Sequence, residues 1–600
     1  MAVRTTELTT DVTIRLVGES GEGTISLGEL AARMLTMLGL EICTFQTFPA
    51  EIKGGTVMFQ VRARAGAVYS EGDAANILVA LTEDGYHLMG GNLAEDGIVL
   101  YDSDVFTPTP APGRWDLGMP ITSMAKAEKD ALKAEMEGEQ VARLPAPKNI
   151  VGLGALLTLI DAPLTPAEQY ITDLFGRKGE GIVRMNIRAL HSGANRVKQE
   201  IGTHRTPHIK PQERTTPVIT VSGNQMVAMG ALAGGLGFFG GYPITPATEI
   251  MEFLAKELPR FGGDLIQAED EIAALAMLCG ASYAGKKVMT STSGPGLSLM
   301  VELINFAGQA EIPLVICDVQ RGGASTGMPT KTSQGDLNLA VYGVHNESPH
   351  IVFAASSVED CFWAAIDALN LAETYQCPVI LLSDQALATR KNTLPTPDFS
   401  AVKTVERIKP AAEDLGPNFR RYLDTATGIS AMAIPGTTGG AYTATGIEHD
   451  EIGNPGYTPQ LAKKMKNKRF RKLETLQKDQ AADFAHVYPH KGEGLADVGI
   501  IAFGSTEGVL REAAERAEAE GISTAHLHLR LLSPLPLAQI EAFVASCKTI
   551  LVPELNYTGQ LAGLLRANVD IKLHAYHKDE GVPFVARELF DQIRALASQN

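Results

Sequence analysis

Lys287-Val288-Met289-Thr290-Ser291-Thr292-Ser293-Gly294-Pro295-Gly296 decides the architecture. The run from Lys287 to Thr292 reads as a strand, the glycine–proline cluster breaks it, and an apolar helical pattern follows from about Leu297. Strand–turn–helix is the unit of a parallel sheet. Three hydroxyls and two glycines at the carboxyl end of such a strand stand where open α/β sheets bind ligands. An elaborate helix cap explains the same residues, and both readings stay open. Working outward, strands are predicted at 314–319, 350–354 and 378–382, with helices between them, so residues 217–400 form a glycine-rich α/β domain.

The flanks repeat the alternation. Residues 1–200 open with a strand at 12–17, a glycine turn and a helix over 27–38, a start that implies a parallel sheet. Strands at 56–61 and 77–81 and a helix over 151–160 follow. Residues 201–216, rich in Lys, Arg, Pro and Thr, read as a linker. Residues 401–495 form an irregular connecting segment that includes a basic helical stretch. Residues 496–600 open with a strand at 498–503, a turn, a helix over 509–519 and a later strand at 549–553.

Six hundred residues are enough for several such domains. Charged residues at 20% and hydrophobic ones at 45% exclude bulk disorder. A formal charge of −17 argues against a nucleic-acid partner. The six cysteines show no CxxC spacing, which argues against an iron–sulfur or zinc site made by this chain alone. Scattered thiols suit a reducing cytoplasm. The start lacks an apolar signal region, and the longest uncharged stretch, around 226–241, is broken by glycines, so no membrane span is expected.

Five features carry chemistry. Gly18-Glu19-Ser20-Gly21-Glu22-Gly23 lies between strand and helix, but its order is not the dinucleotide fingerprint. Its two carboxylates oppose a pyrophosphate, so a tight turn competes with a ligand loop. In Gly241-Tyr242-Pro243-Ile244-Thr245-Pro246, Thr245 caps the helix that follows or serves as a fixed catalytic hydroxyl. Gln267-Ala268-Glu269-Asp270-Glu271 opens an apolar helix that looks buried almost all round. Acids there complement the helix dipole, yet a carboxyl group at the head of a buried helix needs a partner. Arg321 ends an apolar strand before two glycines, suiting capture of a carboxylate or a salt bridge to Asp318 or Asp336. Lys463–Lys472 holds seven basic residues in ten, a solvated helical face or a surface for an anionic partner or phosphate-rich cofactor tail.

These motifs, in this order, resemble the 2-oxoacid:ferredoxin oxidoreductases, thiamine-diphosphate enzymes that act on 2-oxoacids and coenzyme A. GYPITPATE (241–249), AEDEIAALAM (268–277), TSTSGPGLSLM (290–300) and DVQRGGASTGMPTKTSQGD (318–336) are similar to the family's pyrimidine-binding domain. GESGEGTISLGELA (18–31) and EIKGGTVMFQVR (51–62) resemble its γ domain, fused ahead of the α domain. VPELNYTGQ (552–560) looks like its transketolase-type C-terminal domain. The fused order and the tract GGAYTATGIEH (439–449) look most like the α subunit of members that oxidise 2-oxoglutarate.

The resemblance implies a multidomain α/β fold: a γ domain, a pyrimidine-binding fold with a parallel sheet, and a transketolase-like C-terminal domain. It implies an α subunit that converts 2-oxoglutarate and coenzyme A to succinyl-CoA and carbon dioxide, reducing ferredoxin, or the reverse. Pyruvate or a branched-chain 2-oxoacid as substrate, or a non-catalytic scaffold role, are the alternatives. Glu271 matches the glutamate that hydrogen-bonds the aminopyrimidine ring of thiamine diphosphate, and Tyr242, Pro243, Ile244, Thr245, Ser293 and Gly294 fall on the cofactor side. Thr245 matches a hydroxyl near the reacting carbonyl, and Arg321 the arginine facing the 2-oxoacid carboxylate. Thr326 and Lys331 are further substrate-side candidates. No GDG with a following asparagine pair and no cysteine set occur. Magnesium, the diphosphate site and a [4Fe-4S] cluster are therefore expected on a partner β subunit in an (αβ)2 assembly.

Overall fold

The computed structural model describes residues 6–49, 54–135 and 144–599; Glu51, Ile52 and Lys53 of the second γ-type motif lie outside them. The chain divides into two units, one running to Val221 and including Arg390–Thr396, the other comprising Ser222–Thr389 and Pro397 onward.

The first unit is built on an eight-stranded sheet. Its order is Trp115–Met119, Leu93–Asp102, Ala75–Ala80, Asp11–Glu19, Thr56–Arg64, Glu41–Thr47, Lys391–Pro395 and Val218–Ser222. The expected parallel sheet is only half present. Asp11–Glu19 pairs in parallel with Ala75–Ala80 but antiparallel with Thr56–Arg64 along its whole length. Glu41–Thr47 and Thr56–Arg64 are joined too closely for a crossover helix, so they pair antiparallel. The core is Val12, Ile14 and Leu16 against Leu27, Leu35, Ile150 and Leu157. Residues 201–216 are an ordered part of this unit. Thr206–Ile209 pairs in parallel with Thr6–Thr9, and the Arg214 guanidinium donates to the Leu40 carbonyl (2.5 Å). The glycine loop is a tight turn: Ser20 N–H donates to Gly55 O (3.0 Å), and Glu22 is ion-paired with Lys148 (2.5 Å).

The second unit carries a seven-stranded sheet: Asp264–Gln267, Phe238–Gly241, Val288–Thr292, Leu314–Gln320, Pro378–Asp384, Ile351–Ala354 and Leu531–Ser533. All neighbours are parallel except the last pair. The central strands are buried on both faces, as helix-covered parallel strands are. A five-stranded sheet follows, ordered Ala485–Tyr488, Thr524–Leu529, Val498–Phe503, Ile550–Glu554 and His574–His577. One apolar core joins the two sheets, from Leu275, Ile316 and Leu382 to Ile501, Leu527 and Val552. Arg530 reinforces this junction with ion pairs to Asp360 and Asp367 (2.9 Å each).

The reading of the basic run 463–472 as a solvated face holds for only part of it. Within the helix Pro459–Asp479, Lys468 and Lys472 are fully buried and share the fully buried Glu311 carboxylate (2.6 Å each). Arg469 pairs with Glu448, Arg471 with Asp424, Lys464 with Glu451 and Lys466 with Glu347. The run is thus divided: Lys468, Arg469 and Lys472 are buried in ion pairs, while Lys463 and Lys464 stay on an exposed face. Burial opposes the charge on Glu311, but the Lys468, Lys472 and Arg421 cations hold it below the ordinary carboxylate range; burial brings Lys468 down to about 7.

Among the described residues, no helix is long and apolar enough to cross a membrane, and no group of three or more His, Cys, Asp or Glu could hold a metal ion.

Candidate active site

The carboxyl edge of the parallel sheet gathers the predicted residues. Phe238–Gly241 ends at the loop carrying Tyr242 to Thr245. Val288–Thr292 ends at Ser293 and Gly294, and Leu314–Gln320 ends at Arg321. Beyond the adjacent strand Asp264–Gln267, the helix Glu271–Tyr283 begins. Asp270 caps it, its Oδ1 accepting from Ala273 N–H (2.7 Å). That leaves Glu271, the first helical residue, free to turn inward.

Glu271 is 6% exposed, yet its carboxyl group makes no hydrogen bond or ion pair with any described residue. It lies against Gly296. A Cβ at residue 296 would stand 2.7 Å from Glu271 Oε1 and would also collide with Thr292 Oγ1. Gly296 thus provides the space the carboxyl group occupies. The helix after this strand is Gly294–Gln309, starting three residues before the expected Leu297 because Pro295 fits its first turn. Ser293 is its cap residue but makes no side-chain cap hydrogen bond. Its hydroxyl is fully buried and unpartnered. Capping therefore does not account for this hydroxyl.

Thr245 does not cap a helix either. Ile244 O accepts from both Ala247 and Thr248 N–H (2.8 and 3.1 Å), so a turn intervenes. The helix is Thr248–Glu257, with Ala247 at its cap position. Thr245 and Tyr242 are exposed, Pro243 and Ile244 half-buried. The helix Glu271–Tyr283 is not buried all round. Ile272 (48% exposed) and Met277 (37%), with Leu299 (51%) from the next helix, leave apolar surface on this pair of helices.

Arg321 forms a salt bridge with neither Asp318 nor Asp336 among the described residues. Its Nη1 donates to the Thr245 carbonyl (2.8 Å), joining two strand ends, and its Nε has no partner. Burial pulls its pKa down, against the attraction of Asp336 and Asp318. Lys331 lies beside Gly322, half-buried, and burial pulls its pKa down too. Thr326 is exposed on the loop between them.

Sequence reasoning passed over two acids here as anything but salt-bridge partners. Asp318 is fully buried with neither carboxyl oxygen hydrogen-bonded. Burial, then the Asp336 charge, push it well above the ordinary range. Burial raises Asp336 to about 6. Its oxygens lie 2.6 and 2.7 Å from where a Cβ on residue 294 would stand, so glycine at 294 makes room for Asp336. The signal was a lone charge in an otherwise apolar strand, Leu314–Gln320.

The comparisons follow this division of the chain. Residues 13–196 match the family described as pyruvate ferredoxin/flavodoxin oxidoreductase. Residues 229–467 match the thiamine-diphosphate-binding part of pyruvate flavodoxin/ferredoxin oxidoreductase, and residues 496–588 the core domain II of pyruvate:ferredoxin oxidoreductase. A 2-oxoglutarate oxidoreductase subunit KorA of Mycobacterium tuberculosis is 34% identical, covering 98% of this chain and 91% of that protein. A 2-oxoacid:ferredoxin oxidoreductase subunit alpha of Aeropyrum pernix is 30% identical over 94% of each. A solved 2-oxoglutarate:ferredoxin oxidoreductase of Magnetococcus marinus, with 2-oxoglutarate, coenzyme A and succinyl-CoA bound, superposes with a TM-score of 0.90. It is 40% identical and covers 98% of this chain and 100% of that one.

The thiamine-diphosphate-binding domain is present, and two polar groups at its sheet edge are left without protein partners as a cofactor site requires: the Glu271 carboxyl group and the Ser293 hydroxyl. On fold, on motif order and on identity over nearly its whole length, the chain belongs to the 2-oxoacid:ferredoxin oxidoreductase family.

Proposed function

We propose that this chain is the α subunit of a 2-oxoglutarate:ferredoxin oxidoreductase. It would convert 2-oxoglutarate and coenzyme A to succinyl-CoA and carbon dioxide while ferredoxin is reduced, or run the reverse carboxylation. The observation that carries the reading is the meeting, on one sheet edge, of an unpartnered carboxyl group, an orphaned hydroxyl and a guanidinium. Likeness to the Magnetococcus marinus enzyme and to KorA supports 2-oxoglutarate in particular.

Thiamine diphosphate, when bound, supplies the carbanion chemistry of 2-oxoacid decarboxylation. The chain's residues orient and dehydrate. Glu271 hydrogen-bonds a ring nitrogen of the cofactor, from a position whose space Gly296 provides. Ser293, Gly294 and the loop Tyr242–Thr245 line the cofactor side. Arg321 receives a carboxylate of the substrate, with Lys331 and Thr326 as further polar groups, and the Thr245 hydroxyl stands near the reacting carbonyl. Two cations suit a dicarboxylate better than a monocarboxylate such as pyruvate.

The sequence has no diphosphate–magnesium motif and no clustered cysteines. A β subunit would therefore bring Mg2+, the diphosphate site and the [4Fe-4S] cluster in an (αβ)2 assembly located in the cytoplasm. The exposed apolar side chains Ile272, Met277 and Leu299 support such a partner. Glu271→Gln tests the assignment. Turnover of the assembled enzyme should fall by about 10²–10⁴-fold with assembly intact; full turnover would overturn it.

A further inference from the structure

The family match locates a C-terminal domain without giving it a task near the substrate. Residues 331–336, a strap between Lys331 and Asp336, suggest one. Its two ends bracket Arg321. Gly322 N–H donates to Lys331 O (2.9 Å), and Asp336 N–H donates to Gln320 Oε1 (3.1 Å). Arg321 is thus the one residue between two anchor points, and moving the strap moves both of its neighbours.

The C-terminal layer holds the middle of the strap, chiefly through Gln334. This side chain is fully buried. Its Nε2 donates to Phe503 O (2.8 Å), and its Oε1 accepts from Leu555 N–H (3.0 Å). Its backbone N–H donates to Leu555 O (2.6 Å), and its carbonyl accepts from Asn556 Nδ2 (3.2 Å). Gln560 adds a bond to Gly335 O (2.7 Å). The ground beneath is itself fixed. The buried Glu554 carboxylate accepts from Leu561 and Ala562 N–H (2.6 and 2.9 Å) and from Asn556 Nδ2 (2.9 Å). Gly504 has φ 68°, and a Cβ there would lie 2.5 Å from Gln334 Nε2. Gly581 lets the backbone close on Lys331, where a Cβ would stand 2.8 Å from Lys331 Cβ.

We propose that Gln334 is a positioning residue of the 2-oxoacid site, through which the C-terminal domain sets where Arg321 and Lys331 stand. This rests on the reading of those two cations as substrate-side groups. An amide is required because both a donor and an acceptor are used against two different strand ends. A methionine fills the same volume and makes neither bond. The bonds of Gln334 all run to groups of the C-terminal layer, so its effect on the site is geometric.

The test compares Gln334→Met, Gln560→Met and Arg321→Ala in the assembled holoenzyme, each assayed for KM against 2-oxoglutarate and against coenzyme A. Gln334→Met is expected to raise the 2-oxoglutarate KM about tenfold while the coenzyme A KM stays within about twofold. Thiamine diphosphate content should be unchanged. Gln560→Met should show a smaller rise of the same selectivity, and it decides the matter if Gln334→Met fails to assemble. Equal changes in both KM values, or none, overturn the clamp when Arg321→Ala still raises the 2-oxoglutarate KM selectively. If Arg321→Ala does not, the substrate-side reading fails and the clamp's purpose with it.

Discussion

Glu271 is 6% exposed and has no donor from the described protein, which leaves its carboxyl group open to a ligand at the sheet edge. Gly296 tests the geometry without removing the acid. Gly296→Ala puts a methyl group 2.7 Å from Glu271 Oε1, and thiamine diphosphate affinity of the assembled enzyme should fall at least about tenfold. Calorimetric titration reads this directly; unchanged affinity would mean the carboxyl group has room to move aside. Asp336 offers a pH-dependent counterpart. Its folded value of about 6 lies above its ordinary 3.8. Below pH 3.8 both folded and unfolded forms hold the proton, so the group contributes nothing. Between about pH 4 and 6 only the folded form keeps it, so stability falls as pH rises through that window; above 6 the full penalty stands. Asp336→Asn should therefore raise the unfolding midpoint at pH 8 by about 3 °C and leave it unchanged at pH 4. A gain of equal size at both pH values would assign the effect to packing instead.

At the scale of the element, the helix Pro459–Asp479 carries the lesson about legibility. Its basic pattern was plain, but its partners were not. Glu311 lies 157 positions from Lys468 in sequence, and nothing in either segment marks the pairing. Burial of a lysine aliphatic chain looks the same in a sequence as its exposure. Breaking such a buried group is costly. Glu311→Gln should destabilise this unit by about 3–5 kcal/mol, whereas Lys464→Ala, at the exposed Glu451 pair, should cost less than about 1 kcal/mol. Denaturant unfolding of both variants checks the contrast. The long β-branched strands at 314–320, 378–384 and 498–503 were readable because apolar runs bounded by turn residues have few other uses. The short strands Phe238–Gly241 and Leu531–Ser533 were not, since the first ends in two glycines and the second is only three residues long. Thr245 misled for a local reason: Thr-Pro before a helix satisfies the rules for a cap, while the chain makes an extra turn there.

Across the whole molecule, the motifs lead to one sheet edge, while periodicity left element boundaries open. Tyr242, Thr245, Glu271, Ser293 and Arg321 are scattered over some 80 positions, and parallel topology brings them to one sheet edge. Asp318, Asp336 and Gln334 were legible only once the fold put them behind that edge. The first unit was read as parallel because its opening strand is followed by a helix; the close link from Thr47 to Thr56 is what made half of that sheet antiparallel. The central claim is that the assembled chain oxidises 2-oxoglutarate. It is tested most directly by comparing kcat/KM for 2-oxoglutarate, pyruvate and a branched-chain 2-oxoacid, with coenzyme A and ferredoxin or a viologen as acceptor. A preference for 2-oxoglutarate of at least about 100-fold, dependent on coenzyme A, is the expected result; pyruvate turned over as efficiently, or no 2-oxoacid oxidised by an intact complex, would contradict it.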